Sequence, residues 1–314
     1  MHSFKNTARI AAFVRGFFLF LDTRNVKSAV LHGGENGFEE ELTDVDFVVD
    51  PAGFKRLTRL VSEYCEQSGW RLCQVLRHED TAAFCVCCPL DDPRCAVALD
   101  ACTDYQRNGA VFIESDELLA NRAMLDWGGH ALSKATELKY RFIKAVAKKK
   151  DIESLLEEIA EYDESEIIDL KRWLREKWGR ENVDLEGSAL QDLIVGLHAE
   201  TQRNLLLRPQ KWWRVLMRLM MPTGACVVTG EGEEARRFCE DFSSLYFRGV
   251  VKTRQIVMKD LSDVVRTKLV ITSCRPGKLM RMLMRGNVFV ASENESFEAW
   301  LQKRVMRREG LAHN

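Results

Sequence analysis

The sequence predicts an α+β chain: an N-terminal mixed sheet with helices, a helical middle region and a small C-terminal α/β unit. Three observations carry this prediction. Apolar runs of strand length, punctuated by Gly, Asn, Asp and Pro, recur up to about residue 125. Strand patterning then stops, and 133–221 keeps helical spacing. At "PTGACVV" strand-length runs return and alternate with helical segments, as parallel sheets require. The predicted units are 1–130, 131–221 and 222–314.

Taken in order, 3–22 has helical spacing, with Phe13, Phe17, Phe18 and Leu21 along its apolar boundary. "KSAVLHG" reads as a strand running into glycines, and "TDVDFVVD" as the next strand. Pro51 then opens a helix, because its missing N–H costs nothing in a first turn, and Gly69 ends it. "WRLCQVLRH", "TAAFCVCC" and "CAVALDACT" supply three more strands, with "DDPR" as the turn before the last. "AVFIESDELLAN" adds a short strand and a helix start. Four or five helices follow, among them "SKATELKYRFIKAVAKKK", "DESEIIDLKRWLREKWG" and "GSALQDLIVGLHAETQRNLL". "KWWRVLMRLMM" (211–221) reads as a core helix whose Arg214 and Arg218 snorkel, in preference to a membrane-surface helix. "TRQIVMK", "TKLVITS" and "GNVFVAS" are the strand-like runs of the last unit.

Composition bounds the chemistry. The 314 residues carry 46% apolar and 30% charged side chains and a net charge of −1. This is a globular composition, without the overall basic surface of a dedicated nucleic-acid or anionic-membrane binder. Of ten cysteines, seven fall between Cys65 and Cys102. They lie in apolar strand patterns, not in a loop-rich scaffold, so the expectation is reduced, mostly buried thiols in a cytoplasmic protein. "CVCC" has no second pair at zinc spacing, so a metal site there is not expected. "RIAAFVRGFFLFLDTR" is interrupted by Arg15 and too short to span a bilayer, and neither a cleavable signal peptide nor a transmembrane segment is expected.

The chemistry-bearing stretch is "AVLHGGENGFEEELTDVDFVVD" (29–50). In a strand, Asp44 and Asp46 project to one face, about 7 Å apart at the backbone. Asp100 interrupts the apolar run "VALDAC", a costly place for a charge that is neither paired nor metal-bound. Three carboxylates on one sheet face suit a hard cation, Mg²⁺ or Mn²⁺. The plain alternative is a solvated strand edge. Gly33 and Gly34 let the backbone approach a phosphate closely.

"VLHGG", "TDVDF" and "VALD", in this order, resemble the nucleotidyltransferase superfamily, the polymerase-β-like enzymes. The resemblance implies that Asp44, Asp46 and Asp100 are the catalytic, metal-binding carboxylates and that Gly33 and Gly34 line a triphosphate. It also implies that Lys144, on the helix after the sheet, touches that triphosphate. Many members have Ser where this chain has Gly34. The implied reaction moves a nucleotidyl group from an NTP to a hydroxyl of an unspecified small molecule, sugar, RNA or protein. The alternative is a catalytically inactive nucleotidyltransferase- and kinase-like scaffold or regulatory interaction protein. His32 is expected to pack under the glycine turn without a catalytic role. Because three acids crowd together, neutralising Asp46 is expected to relieve repulsion and leave stability intact. The longer stretch over 10–150 resembles a bacterial subgroup joined to a C-terminal thymidylate-kinase-like domain. In this chain "VVTGEGEEARRF" places Glu and Ala where a P-loop needs Lys and Ser or Thr. A degenerate kinase-like unit, or a different α/β unit, is therefore expected around Gly230 and Gly232, and in either case one that does not hold ATP.

Overall fold

The structure, a computed structural model, describes residues 3–203 apart from 39–43, 80, 90, 92–94, 108–109, 149–151, 181–182 and 186; beyond them it describes four strands and Lys278. It is a mixed α/β arrangement with a mixed sheet and seven helices among the described residues.

Helix α1 (Ser3–Thr23) leads into β1 (Ser28–Val30), and β2 (Asp44–Val49) runs back against it with Val30 opposite Phe47. Helix α2 (Pro51–Ser68) begins where sequence chemistry says it should. The Asp50 carboxylate accepts from Gly53 N at 2.7 Å, and Gly69, at φ 72°, ends the helix in the left-handed conformation. Strands β3 (Trp70–Glu79), β4 (Ala82–Pro89) and β5 (Val97–Cys102) follow, antiparallel to one another in turn. β5 closes on β2 in parallel, with Asp46 opposite Asp100.

A small hairpin, β6 (Tyr105–Arg107) with β7 (Ala110–Ile113), and helix α3 (Ser115–Leu119) lead to β8 (Ala123–Met124) and β9 (His130–Ala131). β9 lies parallel to β1, so the seven-stranded order is β3-β4-β5-β2-β1-β9-β8. β6, β8 and β9 are too short to leave an apolar period, and the sequence gives no sign of them.

Helices α4 (Lys134–Lys148), α5 (Ile152–Ile159), α6 (Glu164–Trp178) and α7 (Gly187–Arg203) complete this part. The sheet is covered on both faces. On one, Phe13, Phe17, Phe18 and Leu21 of α1 and Leu57 and Val61 of α2 pack against Val45, Phe47, Val49 and Leu99. On the other, Ala29, Leu31, Val48 and Cys102 meet Phe142, Ile143 and Val146 of α4, behind which α5, α6 and α7 pack. Period-two alternation therefore sends Asp44, Asp46 and Asp100 towards the α4 side.

Strands β10 (Ala225–Val228), β11 (Val250–Thr253), β12 (Leu269–Thr272) and β13 (Val288–Val290) form a second, all-parallel sheet in the order β11-β12-β10-β13. The degenerate P-loop segment and "KWWRVLMRLMM" lie outside the described residues. No helix among the described residues is long and apolar enough to cross a membrane.

Candidate functional site

β1 delivers the site. After Val30 the chain pairs once more, Leu31 N donating to Asp46 O at 3.0 Å, and His32 is the next residue out. Gly33 takes φ 74°, which a side chain rarely adopts, and the space where its Cβ would stand is open. At Gly34 the requirement is steric. A Cβ there would meet Val30 at 3.2 Å and Leu125 at 3.3 Å, tighter than ordinary packing. The loop is held from outside, because Trp127 Nε1 donates to Gly34 O at 2.9 Å. Gly129 is what lets that indole lie flat, since a Cβ at 129 would fall 2.0 Å from the ring.

β2 and β5 deliver the carboxylates. Asp46 and Asp100 are register partners on adjacent parallel strands, about 4.8 Å apart at the backbone. Asp44 is two residues from Asp46, at the exposed start of the strand. Helix α4 delivers Lys144. Its ammonium donates to Asp46 Oδ2 at 2.7 Å and lies 2.9 Å from His32 Nε2, which is itself 3.0 Å from the same carboxylate oxygen. Beneath them Tyr140, one helical turn before Lys144, is buried. Its ring centre is 5.3 Å from Lys144 Nζ, 6.2 Å from the His32 ring and 5.0 Å from Tyr105.

The electrostatics follow from this packing. Burial pushes the Asp46 carboxyl up, but the His32 hydrogen bond and the Lys144 charge outweigh it and hold the group well below the usual carboxylate range. Burial, then the nearby Asp46 charge, raises the Tyr140 phenol, so it stays protonated. Burial and the Asp100 charge do the same for the Cys102 thiol. The expectation that neutralising Asp46 relieves repulsion is therefore corrected. Its immediate partners are an ammonium and an imidazole, so neutralising it removes an attraction. His32, expected to do no more than pack, is the second correction: its ring nitrogen contacts the central carboxylate. The signal available in the sequence is its place one residue beyond the last β1 pairing. Tyr140 and Lys144 are four apart on one helix, which puts them on one face, but only the fold shows that this face meets β2.

The residues suit a divalent cation in kind: three carboxylates on one face, with an ammonium already standing as a cation 2.7 Å from Asp46 Oδ2. They are not drawn together around one point. Among the described residues no group of three His, Cys, Asp or Glu side chains is gathered closely enough to hold a metal ion. Asp46 is turned to Lys144 instead.

No family model matches the chain, and no curated protein does. The solution structure of the antibiotic-resistance factor ANT(2'')-Ia, a nucleotidyltransferase, is similar over 63% of this chain and 95% of its own, with a TM-score of 0.32 and 11% identity. A likeness so distant carries no weight for the activity of this chain.

Proposed function

We propose that this protein transfers a nucleotidyl group from a nucleoside triphosphate to a hydroxyl acceptor. The observation that carries the reading is the opposition of Asp46 and Asp100 across β2 and β5, with Asp44 on the same face and Lys144 reaching that face from α4. An acidic pair on adjacent strands with a lysine beside it can serve both sides of a phosphoryl centre. Asp44, Asp46 and Asp100 would hold Mg²⁺ or Mn²⁺. When bound, the metal supplies charge neutralisation at the attacking and leaving oxygens.

The chain's own groups divide the remaining work. The acceptor oxygen attacks the α-phosphorus, the bond to the β-phosphate oxygen breaks and pyrophosphate leaves. The hydroxyl proton passes to Asp100 or to water. Lys144 neutralises charge on the triphosphate, and the backbone at Gly33 and Gly34 admits the phosphates without a side chain in the way. The acceptor class is open among small molecules, sugars, RNA and proteins.

One observation favours a second reading. With Asp46 paired to Lys144 and His32, and no gathered metal set among the described residues, the same geometry suits an inactive scaffold. Incubation with each α-labelled NTP, Mg²⁺ or Mn²⁺, and fractionated acceptors separates the two. Label transferred by the parent and lost in Asp46→Asn supports the enzyme. Absence of both nucleotide binding and transfer across metals and acceptors overturns it.

A further inference from the structure

The contacts among Asp46, His32 and Lys144 cannot all be favourable at once. If His32 Nε2 carries a proton and donates to Asp46 Oδ2, the Lys144 ammonium faces that N–H at 2.9 Å, donor against donor. If Nε2 is unprotonated and accepts a hydrogen bond from the Lys144 ammonium, it faces Asp46 Oδ2 at 3.0 Å, lone pair against lone pair. One edge of the triangle is always unsatisfied. Such an arrangement holds only while nothing better is offered to one of its members.

We infer that Lys144 is an exchangeable occupant of the cation position at Asp46. Without nucleotide, its ammonium competes with a divalent cation for that carboxylate. A nucleoside triphosphate ends the competition by drawing the ammonium onto its phosphates. The inference rests on the nucleotidyltransferase reading above. Its physical ground is that one carboxylate oxygen already neutralised at 2.7 Å offers little to a second cation, which also meets the ammonium's like charge. Exchange is sterically open: the Lys144 and Asp46 side chains keep 23% and 20% of their exposure. The stem is flexible, whereas its helix is not, because Phe142, Ile143 and Val146 are fully buried. Once the ammonium leaves, Nε2–H of His32 can donate to Asp46 unopposed, so His32 positions the carboxylate during the exchange. Metal and nucleotide then bind with positive coupling, each tightening the other by the same factor.

Titration with Mn²⁺ alone, by calorimetry or by electron paramagnetic resonance of the free ion, tests this on the full chain. Lys144→Met and Lys144→Gln are expected to bind Mn²⁺ about tenfold tighter than the parent, the worth of one charge-assisted contact. Asp46→Asn should remove binding in either background. If Lys144→Met melts early, Lys144→Gln, which keeps length and a hydrogen-bond donor without the charge, decides. Variants that bind Mn²⁺ no tighter than the parent, with binding still lost in Asp46→Asn, overturn the exchange and leave the metal site standing. Mn²⁺ binding absent from every chain, or indifferent to Asp46→Asn, overturns the nucleotidyltransferase reading and the exchange with it.

Discussion

Asp46 meets opposing demands. A half-buried carboxylate loses hydration, and the ammonium 2.7 Å away and the imidazole 3.0 Å away more than restore it. Asp46→Asn should therefore cost about 1–2 kcal/mol of stability, since it leaves the Lys144 charge without its anion. Thermal or urea unfolding of parent and variant checks this. On the proposed function the same variant should lose about a hundredfold or more in transfer assays, the worth of a charge that would hold the metal. The stability gap should depend on pH in a defined direction. The folded-state pKa lies below the unfolded one, which is about 3.9, so the carboxylate's contribution is complete above the unfolded value. It is lost as pH falls through the lower, folded value. Melting temperatures of parent and Asp46→Asn should differ by a constant amount above about pH 5 and converge on acidification below about pH 4. A gap that widens in acid would contradict the pairing with Lys144.

At the scale of elements, single polar groups tie one segment to the next. Asp50 caps α2 through Gly53 N at 2.7 Å, and its other oxygen accepts from Lys27 N, also at 2.7 Å, just before β1. Asp50→Ala should cost about 1–2 kcal/mol, the upper part of the range for a lost cap, because two orphan donors result. Chemical denaturation measures it, and Asp50→Asn, which keeps acceptor capacity, should recover part of the loss. The glycine loop is tied in the same manner by Trp127. Gly129→Ala places a methyl inside the indole's position, so Trp127 must move and Gly34 O loses its donor. The expected cost is about 1–3 kcal/mol, as for overpacking, together with a changed Trp fluorescence in the native state. In transfer assays this variant should raise KM for NTP more than it lowers kcat, because the role proposed for the loop is to admit phosphates.

For the whole molecule, the sheet covered on two faces explains where the thiols are. Cys65, Cys73, Cys85, Cys87, Cys88, Cys95 and Cys102 are all buried and outside any disulfide, and burial raises the thiol pKa of Cys73, Cys87 and Cys102. Cys73 and Cys88 share a hydrogen bond between their sulfurs at 3.3 Å and form no disulfide. A thiolate is the reactive form, so a water-soluble disulfide reagent should modify no more than Cys226, Cys239 and Cys274 rapidly in the native protein. All ten should react after denaturation. Rapid native labelling of any of the seven, located by peptide mass analysis, would contradict the double coverage of the sheet.

By itself the sequence determined the longer elements and the candidate carboxylates. Long periodic segments such as α1, α2 and α4 are legible because repeated apolar spacing and capping residues act locally. Asp44, Asp46 and Asp100 are legible because a charge inside an apolar strand run demands a reason. The tertiary structure alone decided what those carboxylates face. That α4 lies over β2, that Lys144 and His32 both contact Asp46, and that β9 joins the sheet beside β1 depend on contacts between residues far apart in the chain. His32 and Lys144 are separated by 112 positions. No local pattern records such a meeting, because it is fixed by which apolar faces bury together, and many sequences share each face.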